Sequence, residues 1–204
     1  MKTPLTALVC AFTLTGCFFG KSEEFQTSTG STAPGSHIDW LGHDTRLLGD
    51  AKALALGEPL PASMLVNEKM KPEELGGTGK VRLISVVPSL DTEVCDRQTH
   101  ILSETKKLSA EVERITVSRD LPYAQGRFAE KSKLENLRYL SDYKGGEFGH
   151  KMGLEIERNG LLARALIVVD KAGIVRHLQV VPLIYALPDM EKAIGVANEL
   201  SKLN

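Results

Sequence analysis

The 204-residue sequence lacks an excess of positive charge, and this excludes one large class of function. It contains 25 lysines and arginines against 26 aspartates and glutamates, so its formal net charge is −1. Proteins that bind nucleic acids rely on clustered positive charge to neutralise phosphates. The composition therefore predicts no nucleic-acid partner.

Metal-ligating patterns are also missing. The five histidines are His37, His43, His100, His150 and His177. Their scattered positions do not match the ligand spacing of metal sites. Apolar residues make up 42% and charged residues 25% of the chain, which is ordinary globular usage. We expect one domain with a normal hydrophobic core, no metal and no cofactor.

Cysteine is scarce, and two of the three cysteines lie near the N-terminus. The three are Cys10, Cys17 and Cys95. The N-terminal stretch has a basic residue, Lys2, an apolar run over residues 5–14, and small residues at Thr15 and Gly16. This layout predicts a secretory signal peptide over residues 1–16. The apolar run is too short to cross a bilayer, which takes about 20 residues.

The end of this signal carries a cysteine. Residues 14–17 read LTGC, which resembles the lipobox of bacterial lipoproteins. The resemblance implies that Cys17 becomes the lipidated first residue of an extracytoplasmic, membrane-anchored protein, in the outer membrane if the host has one. The alternative is an ordinary cleaved signal in which Cys17 is incidental. In the lipoprotein case Cys95 is the single free thiol of the mature chain.

A polar segment follows the lipidation site. Residues 20–36 read GKSEEFQTSTGSTAPGS and are rich in serine, threonine and glycine. Such a segment buries too little apolar surface to fold by itself. The sequence therefore predicts a flexible tether over residues 17–36 and a folded domain over residues 37–204.

Strand and helix patterns alternate through the domain. The predicted strands cover residues 63–67, 81–87, 114–118, 137–140, 163–169 and 174–181, and the predicted helices cover residues 92–109, 122–132 and 188–203. Residues 50–60 indicate a short hairpin or an irregular segment, and residues 69–79 a turn region. This order of elements is typical of a thioredoxin-like α/β domain.

Cys95 follows a buried strand and a proline-containing loop, near the start of a predicted helix. Unpaired N–H groups and the helix dipole favour thiolate over thiol at that position. A nucleophilic cysteine would be placed there. A small buried hydrophobic residue is the alternative from position alone.

Three segments resemble one known family. Residues 88–95 read PSLDTEVC, which resembles the peroxiredoxin active-site pattern of proline, three residues, threonine, two residues and cysteine, and is closer still to the thiol peroxidase (Tpx) subfamily. Residues 118–128, SRDLPYAQGRF, are similar to the second signature of that subfamily. Residues 160–165, GLLARA, are similar to the strand that supplies its active-site arginine. The resemblance implies a thioredoxin-like fold of the peroxiredoxin type, with a central mixed sheet flanked by helices.

The resemblance also implies roles for four residues. Cys95 would attack a peroxide as thiolate and form a sulfenic acid. Thr92 would orient the sulfur and the peroxide, Arg164 would stabilise the thiolate and the leaving oxygen, and Pro88 would close the pocket. From the residues alone, Arg164 has the alternative of a surface ion pair, and Thr92 is also a candidate helix N-cap.

One position departs from the subfamily. Members commonly carry a resolving cysteine directly after the Arg-Phe of the second signature, and here that residue is Ala129. Together with the processing expected at the N-terminus, this predicts a one-cysteine cycle that reduces hydrogen peroxide or organic hydroperoxides. An external thiol, either small or on a thioredoxin-like protein, would restore the enzyme. The resemblance also implies a homodimer.

Two alternatives from other functional classes stay open at this point. The first alternative is a thiol-based peroxide sensor that signals through oxidation of Cys95. The second is a non-catalytic lipoprotein with a thioredoxin fold. The intact set of Pro88, Thr92, Cys95 and Arg164 favours catalysis over the second of these.

Processing at the N-terminus is directly testable. We predict that mass analysis of the mature protein, recovered from a bacterial host, finds a chain that begins at an acylated Cys17. A mature chain that retains residues 1–16, or that carries an unmodified Cys17, would contradict the lipoprotein prediction.

Overall fold

The computed structural model describes residues 25–50, 53–77 and 79–203. The predicted signal peptide over residues 1–16 and the predicted lipidation site at Cys17 lie outside these ranges. Within them, no helix combines the length and the apolar character that a membrane span requires.

The elements alternate in the order that the sequence predicts for the middle and the end of the chain. In the described ranges the strands are β1 His37–Trp40, β2 His43–Leu48, β3 Ser63–Asn67, β4 Pro72–Leu75, β5 Arg82–Val86, β6 Glu113–Ser118, β7 Arg138–Ser141, β8 Glu155–Ile156, β9 Ala165–Val169 and β10 Val175–Val180. The helices are α1 Glu93–Glu104, α2 Pro122–Ser132, α3 Glu147–Met152 and α4 Met190–Lys202.

Seven of the strands form a mixed central sheet in the order β10–β9–β5–β6–β7–β3–β4. Strands β5, β6 and β7 pair in parallel, and the remaining neighbours pair antiparallel. The hairpin of β1 and β2 forms a separate small sheet with β8. The predicted mixed sheet is confirmed.

Both faces of this sheet are covered because the side chains of its central strands alternate between two apolar clusters. Leu83 of β5 belongs to a cluster with Leu102 of α1 and Ile194 of α4. Its neighbour Ile84 belongs to the opposite cluster, which includes Phe148 of α3. The sheet is therefore flanked by helices on both sides, as the sequence predicts.

Strand register brings the two segments with candidate catalytic residues to one edge of the sheet. The carboxyl ends of β5 and β6 meet at that edge because these strands are parallel. Strand β9 is antiparallel to β5, with Ala165 opposite Val86, so its amino end lies at the same edge. Arg164, which directly precedes β9, is thereby placed beside residues 88–95. Arg164 lies just outside the strand, whereas the sequence predicts it inside.

The prediction of a flexible tether up to residue 36 is wrong for the part that the structure describes. Thr27 and Thr32 form β-bridges with Leu187 and Val180, respectively, and the backbone N–H of Gly35 donates to Gly153 O at 2.8 Å. A polar composition shows only that a segment buries little apolar surface. It does not account for backbone groups that pair with an available strand edge.

Helix α1 ends at Glu104, five residues before the predicted end. The guanidinium of Arg114 explains this, since it donates to the carbonyl oxygens of Leu102, Ser103, Thr105 and Leu108. These bonds satisfy the last helical carbonyls and turn the chain toward β6. Arg114 lies 10 residues after Glu104, so the local sequence pattern does not reveal where the helix ends.

Five elements have no clear signal in the sequence. These are β1, β2, β4, α3 and β8. Strand β4 lies inside the predicted turn region, where Pro72 and two glutamates argue against a strand. Pairing with β3 decides its conformation, at an edge position that tolerates proline.

Buried His177 on β10 provides a test of the packing between this strand and α4. Burial holds the pKa of His177 below its ordinary value of 6.5, and the charge of Lys192 acts in the same direction against that of Asp189. The folded state then binds fewer protons than the unfolded chain, so the free energy of unfolding falls as the pH drops below 6.5. We predict that the free energy of unfolding of His177→Gln falls less than that of the wild-type protein as the pH drops below 6.5.

Urea unfolding at a series of acidic pH values measures the effect. The control is His43→Gln at an exposed position on β2, which should keep the wild-type pH dependence. An unchanged dependence in His177→Gln would contradict the prediction.

Candidate active site

Cys95 is the third residue of α1 and is completely buried. The preceding loop leaves β5 at Val86 and passes through Pro88, which is also buried. Thr92 is the N-cap that precedes this helix, and its carbonyl accepts the first helical hydrogen bond from Asp96 N at 2.8 Å. The sulfur therefore lies in the first helical turn, where unpaired N–H groups and the helix dipole stabilise negative charge.

Arg164 contacts the sulfur directly. Its Nη2 donates to Cys95 Sγ at 3.5 Å, its Nη1 to Gln98 Oε1 at 2.8 Å, and its Nε to Ile184 O at 3.0 Å. The residue is only 2% exposed. The alternative of a surface ion pair is therefore wrong, and the predicted approach of Arg164 to Cys95 is observed.

The charge of Arg164 has no carboxylate partner among the described residues, because its three hydrogen bonds go to a sulfur, an amide oxygen and a carbonyl oxygen. A buried cation without an anion is costly. Of these three acceptors, only Cys95 Sγ can carry a full negative charge. The pair is thus suited to a nucleophilic sulfur.

Gln98 fixes the guanidinium, a role that the sequence does not reveal. Its Nε2 donates to Ser85 Oγ at 2.7 Å while its Oε1 accepts from Arg164, and both Gln98 and Ser85 are fully buried. The three side chains form a hydrogen-bonded chain from β5 across α1 to Arg164. The sequence offers one indication of this role, because Gln98 lies three positions after Cys95 and so shares its face of the helix.

Thr92 lies at the predicted position but makes a different contact. Its side chain is exposed, and its hydroxyl donates to Ser89 O at 3.2 Å rather than to the sulfur. Thr92 also occupies the N-cap position of α1, yet its side chain makes no capping hydrogen bond. The hydroxyl thus closes the loop over residues 89–92, and its oxygen keeps lone pairs that can accept a hydrogen bond.

Asp120, two residues after the end of the neighbouring strand β6, holds the same loop, and the sequence does not reveal this role. Its carboxylate accepts from Ser89 Oγ and from Leu90 N, each at 2.7 Å. Ser118 Oγ also donates to it at 2.7 Å and accepts from Gln125 Nε2 at 2.9 Å. The segment SRDLPYAQGRF therefore acts as a clamp on the loop that carries Thr92 and leads to Cys95.

No group of three or more histidine, cysteine, aspartate or glutamate side chains capable of holding a metal ion occurs in the described ranges.

Comparison with known proteins identifies the family of this chain. A family profile described as Redoxin matches residues 55–194. The chain belongs to the redoxin family. The matched span contains Pro88, Thr92, Cys95 and Arg164, and it begins after residues 25–50.

Curated relatives of this redoxin are named thiol peroxidase. The protein from Halalkalibacterium halodurans is 40% identical over 161 residues, which cover 78% of this chain and 96% of that protein. The protein from Bacillus subtilis is 33% identical over 168 residues, which cover 82% and 99%, respectively. The predicted resemblance to the thiol peroxidase subfamily is confirmed.

Solved structures confirm the predicted thioredoxin-like fold of the peroxiredoxin type. A peroxiredoxin-like protein from Aquifex aeolicus matches the redoxin with a TM-score of 0.76 and 30% identity, covering 83% of this chain and 99% of that one. A thiol peroxidase from Chromobacterium violaceum, at 20% identity and a TM-score of 0.69, covers 80% and 95%, respectively, and supports the fold alone.

The clamp formed by Asp120 predicts a measurable contribution to stability. In Asp120→Asn the amide group replaces one carboxylate oxygen, so at least one of its donors loses its acceptor. We expect the free energy of unfolding to fall by about 1–3 kcal/mol, the cost of leaving such a group unsatisfied. Urea unfolding measures this change.

Asp91→Asn is the matched control, since Asp91 lies on the same loop with an exposed side chain that makes no hydrogen bond within the described ranges. It should change stability by less than about 0.5 kcal/mol. Equal losses in the two variants would contradict the clamp.

Proposed function

We propose that this redoxin reduces hydrogen peroxide and organic hydroperoxides with a thiol as reductant, and that Cys95 is the reacting residue. The observation that carries the proposal is the contact between the buried guanidinium of Arg164 and Cys95 Sγ at 3.5 Å. This contact provides a nucleophile and, beside it, a group that stabilises negative charge.

In the first half of the cycle the Cys95 thiolate attacks one peroxide oxygen. A sulfur–oxygen bond forms and the oxygen–oxygen bond breaks, so sulfur is oxidised to sulfenic acid and the second oxygen leaves as hydroxide or alkoxide. That oxygen takes up a proton and departs as water or alcohol. Arg164 stabilises the charge that develops on it, because a guanidinium stays protonated throughout.

The surrounding residues orient this step. Gln98 and Ile184 fix two of the guanidinium nitrogens, so Arg164 is in place before the peroxide arrives. The Thr92 oxygen is free to accept a hydrogen bond from the O–H of the hydroperoxide. Pro88 and the complete burial of Cys95 exclude bulk water from the sulfur and restrict access to small oxidants.

In the second half of the cycle an external thiol attacks the sulfenic sulfur. This step releases water and forms a mixed disulfide, and a second thiol then displaces Cys95 as thiolate. We propose a one-cysteine cycle because Ala129 stands where the subfamily commonly has its resolving cysteine, and because Cys95 is the free cysteine of the described ranges. Since the sulfur is buried, a protein reductant also requires movement of the loop over residues 88–92.

We further propose that the enzyme is an extracytoplasmic lipoprotein. The support is the basic start, the short apolar run and the sequence LTGC at residues 14–17. A thiol anchored outside the cytoplasm needs a reductant in the same compartment. The homodimer stays a prediction from the resemblance.

Turnover assays test the proposed function. We expect purified protein with hydrogen peroxide and a small thiol to consume many equivalents of peroxide, and Cys95→Ser to abolish this consumption. Oxidation of one equivalent per chain without turnover would indicate a sensor, and the absence of any reaction would contradict both functions.

The role of Arg164 predicts a large kinetic effect. Arg164→Lys keeps the positive charge but cannot donate at the same time to Cys95, Gln98 and Ile184. We expect the rate constant for peroxide to fall by about a hundredfold, the effect of losing one positioned donor in other active sites. Arg176→Lys, on the exposed face of β10, should keep the wild-type rate, and equal rates in all three proteins would contradict the assignment.

A further inference from the structure

The segment that precedes β1 lies along the edge of the central sheet. We call residues 26–35 the N-terminal strap. It runs beside β10, which is an edge strand of the seven-stranded sheet, and it lies outside the residues that match the redoxin profile. Its contacts are with the end of β10, with residues 181–189, which lead from β10 to α4, and with Gly153 after α3.

The strap holds Val180, the residue next to a hydrogen-bond partner of Arg164. Thr32 N donates to Val180 O at 2.9 Å, and Val180 N donates to Ser31 Oγ at 3.0 Å. The following residue, Val181, donates its N–H to Arg164 O at 2.9 Å. The strap is therefore linked to the backbone of Arg164 through two adjacent residues, Val180 and Val181.

The strap also holds one end of the segment that fixes the guanidinium. Leu187 exchanges two backbone hydrogen bonds with it, as Leu187 N donates to Gln26 O and Ser28 N donates to Leu187 O, each at 2.8 Å. Three residues earlier, Ile184 O accepts from Arg164 Nε at 3.0 Å. The strap thus anchors the segment from which this acceptor projects.

The other end of the segment is anchored by β1, which directly follows the strap. Asp39 N donates to Pro182 O at 2.7 Å, and Ile184 N donates to Asp39 O at 3.1 Å. Because Ile184 is held on both sides, its carbonyl oxygen has a defined position when it meets the guanidinium.

Gln179 joins the strap to the start of α4. Its Nε2 donates to Ser28 O at 2.8 Å and to Gly30 O at 3.0 Å, and its Oε1 accepts from Asp189 N at 2.8 Å. The side chain is 3% exposed. One buried amide therefore satisfies three backbone groups and fixes the distance between the strap and the segment over residues 181–189.

We propose that the N-terminal strap is a positioning element of the active site, which acts on Cys95 through Arg164. This inference rests on the proposed function. In a chain anchored near its N-terminus, the strap then serves as part of the folded enzyme rather than as a spacer. Gln179 is the positioning residue that couples it to the segment holding the guanidinium.

Proline substitutions in the full chain test the strap. Ser28→Pro removes the N–H that donates to Leu187 O. Thr29→Pro is the matched control, since Thr29 is exposed and makes no hydrogen bond within the described ranges. The readout is the rate at which hydrogen peroxide oxidises Cys95, followed by mass analysis, with thermal unfolding recorded for each variant.

We expect Ser28→Pro to slow the oxidation of Cys95 by about tenfold, since displacing a catalytic group by 1 Å can cost about a hundredfold. Thr29→Pro should keep the wild-type rate. In an Arg164→Gln background, Ser28→Pro should change the rate by less than about twofold, because the group through which it acts is already gone. A purely structural role would slow both backgrounds alike.

Gln179→Glu provides a second variant. It keeps an acceptor for Asp189 N but loses the two donors to the strap, so it should reproduce the effect of Ser28→Pro and the same dependence on Arg164. Wild-type oxidation rates in both variants, equal slowing in the Arg164→Gln background, or loss of folding in both variants would overturn the positioning role. An inert Cys95 in the wild-type chain would instead overturn the proposed function itself.

Discussion

A positive charge enclosed by the protein, without a carboxylate partner in the described ranges, is the constraint on which the proposed chemistry of this chain depends. Arg164 is almost completely buried and directs its donors to a cysteine sulfur, an amide and a carbonyl. The amide and the carbonyl carry only partial negative charge. Of the three acceptors, only Cys95 Sγ can carry a full negative charge, and a cysteine reacts as a nucleophile in its thiolate form.

The fold serves this pair through register and through hydrogen-bonded support. Antiparallel pairing of β9 with β5 brings Arg164 to the edge where the chain leaves β5 toward Cys95. Three sets of hydrogen bonds then hold the site. Gln98, itself bound to Ser85 of β5, and Ile184 O after β10 hold the guanidinium. Asp120, just after β6, holds the loop that leads to Cys95. Each contact restricts one group, and together they hold the site in place before a substrate binds.

The sequence predicts the central elements well because their signals are local. Buried strands such as β5 and amphipathic helices such as α4 follow from hydrophobic periodicity, and the motif PSLDTEVC identifies Pro88, Thr92 and Cys95. Arg164 is identified only through resemblance. Periodicity places it in a strand and does not show what its side chain contacts.

The features that the sequence does not predict all depend on contacts between residues far apart in the chain. Gln98 and Asp120 look like ordinary polar residues until the sheet brings their partners close. The strap looks like a linker because its composition is polar, yet its backbone finds partners on a strand edge about 150 residues away. Thr92 is the opposite case, because the motif singles it out for contact with the sulfur but its hydroxyl donates to the loop instead.

If Cys95 exists as a thiolate because Arg164 lies beside it, the ionised sulfur can be observed without any peroxide. The measurement is the ultraviolet thiolate absorbance at neutral pH of the wild-type protein, compared with Cys95→Ser and Arg164→Gln. We expect a thiolate signal in the wild-type protein that both substitutions remove. A signal of the same size in Arg164→Gln, or no difference between the wild-type protein and Cys95→Ser, would contradict the pairing of guanidinium and thiolate.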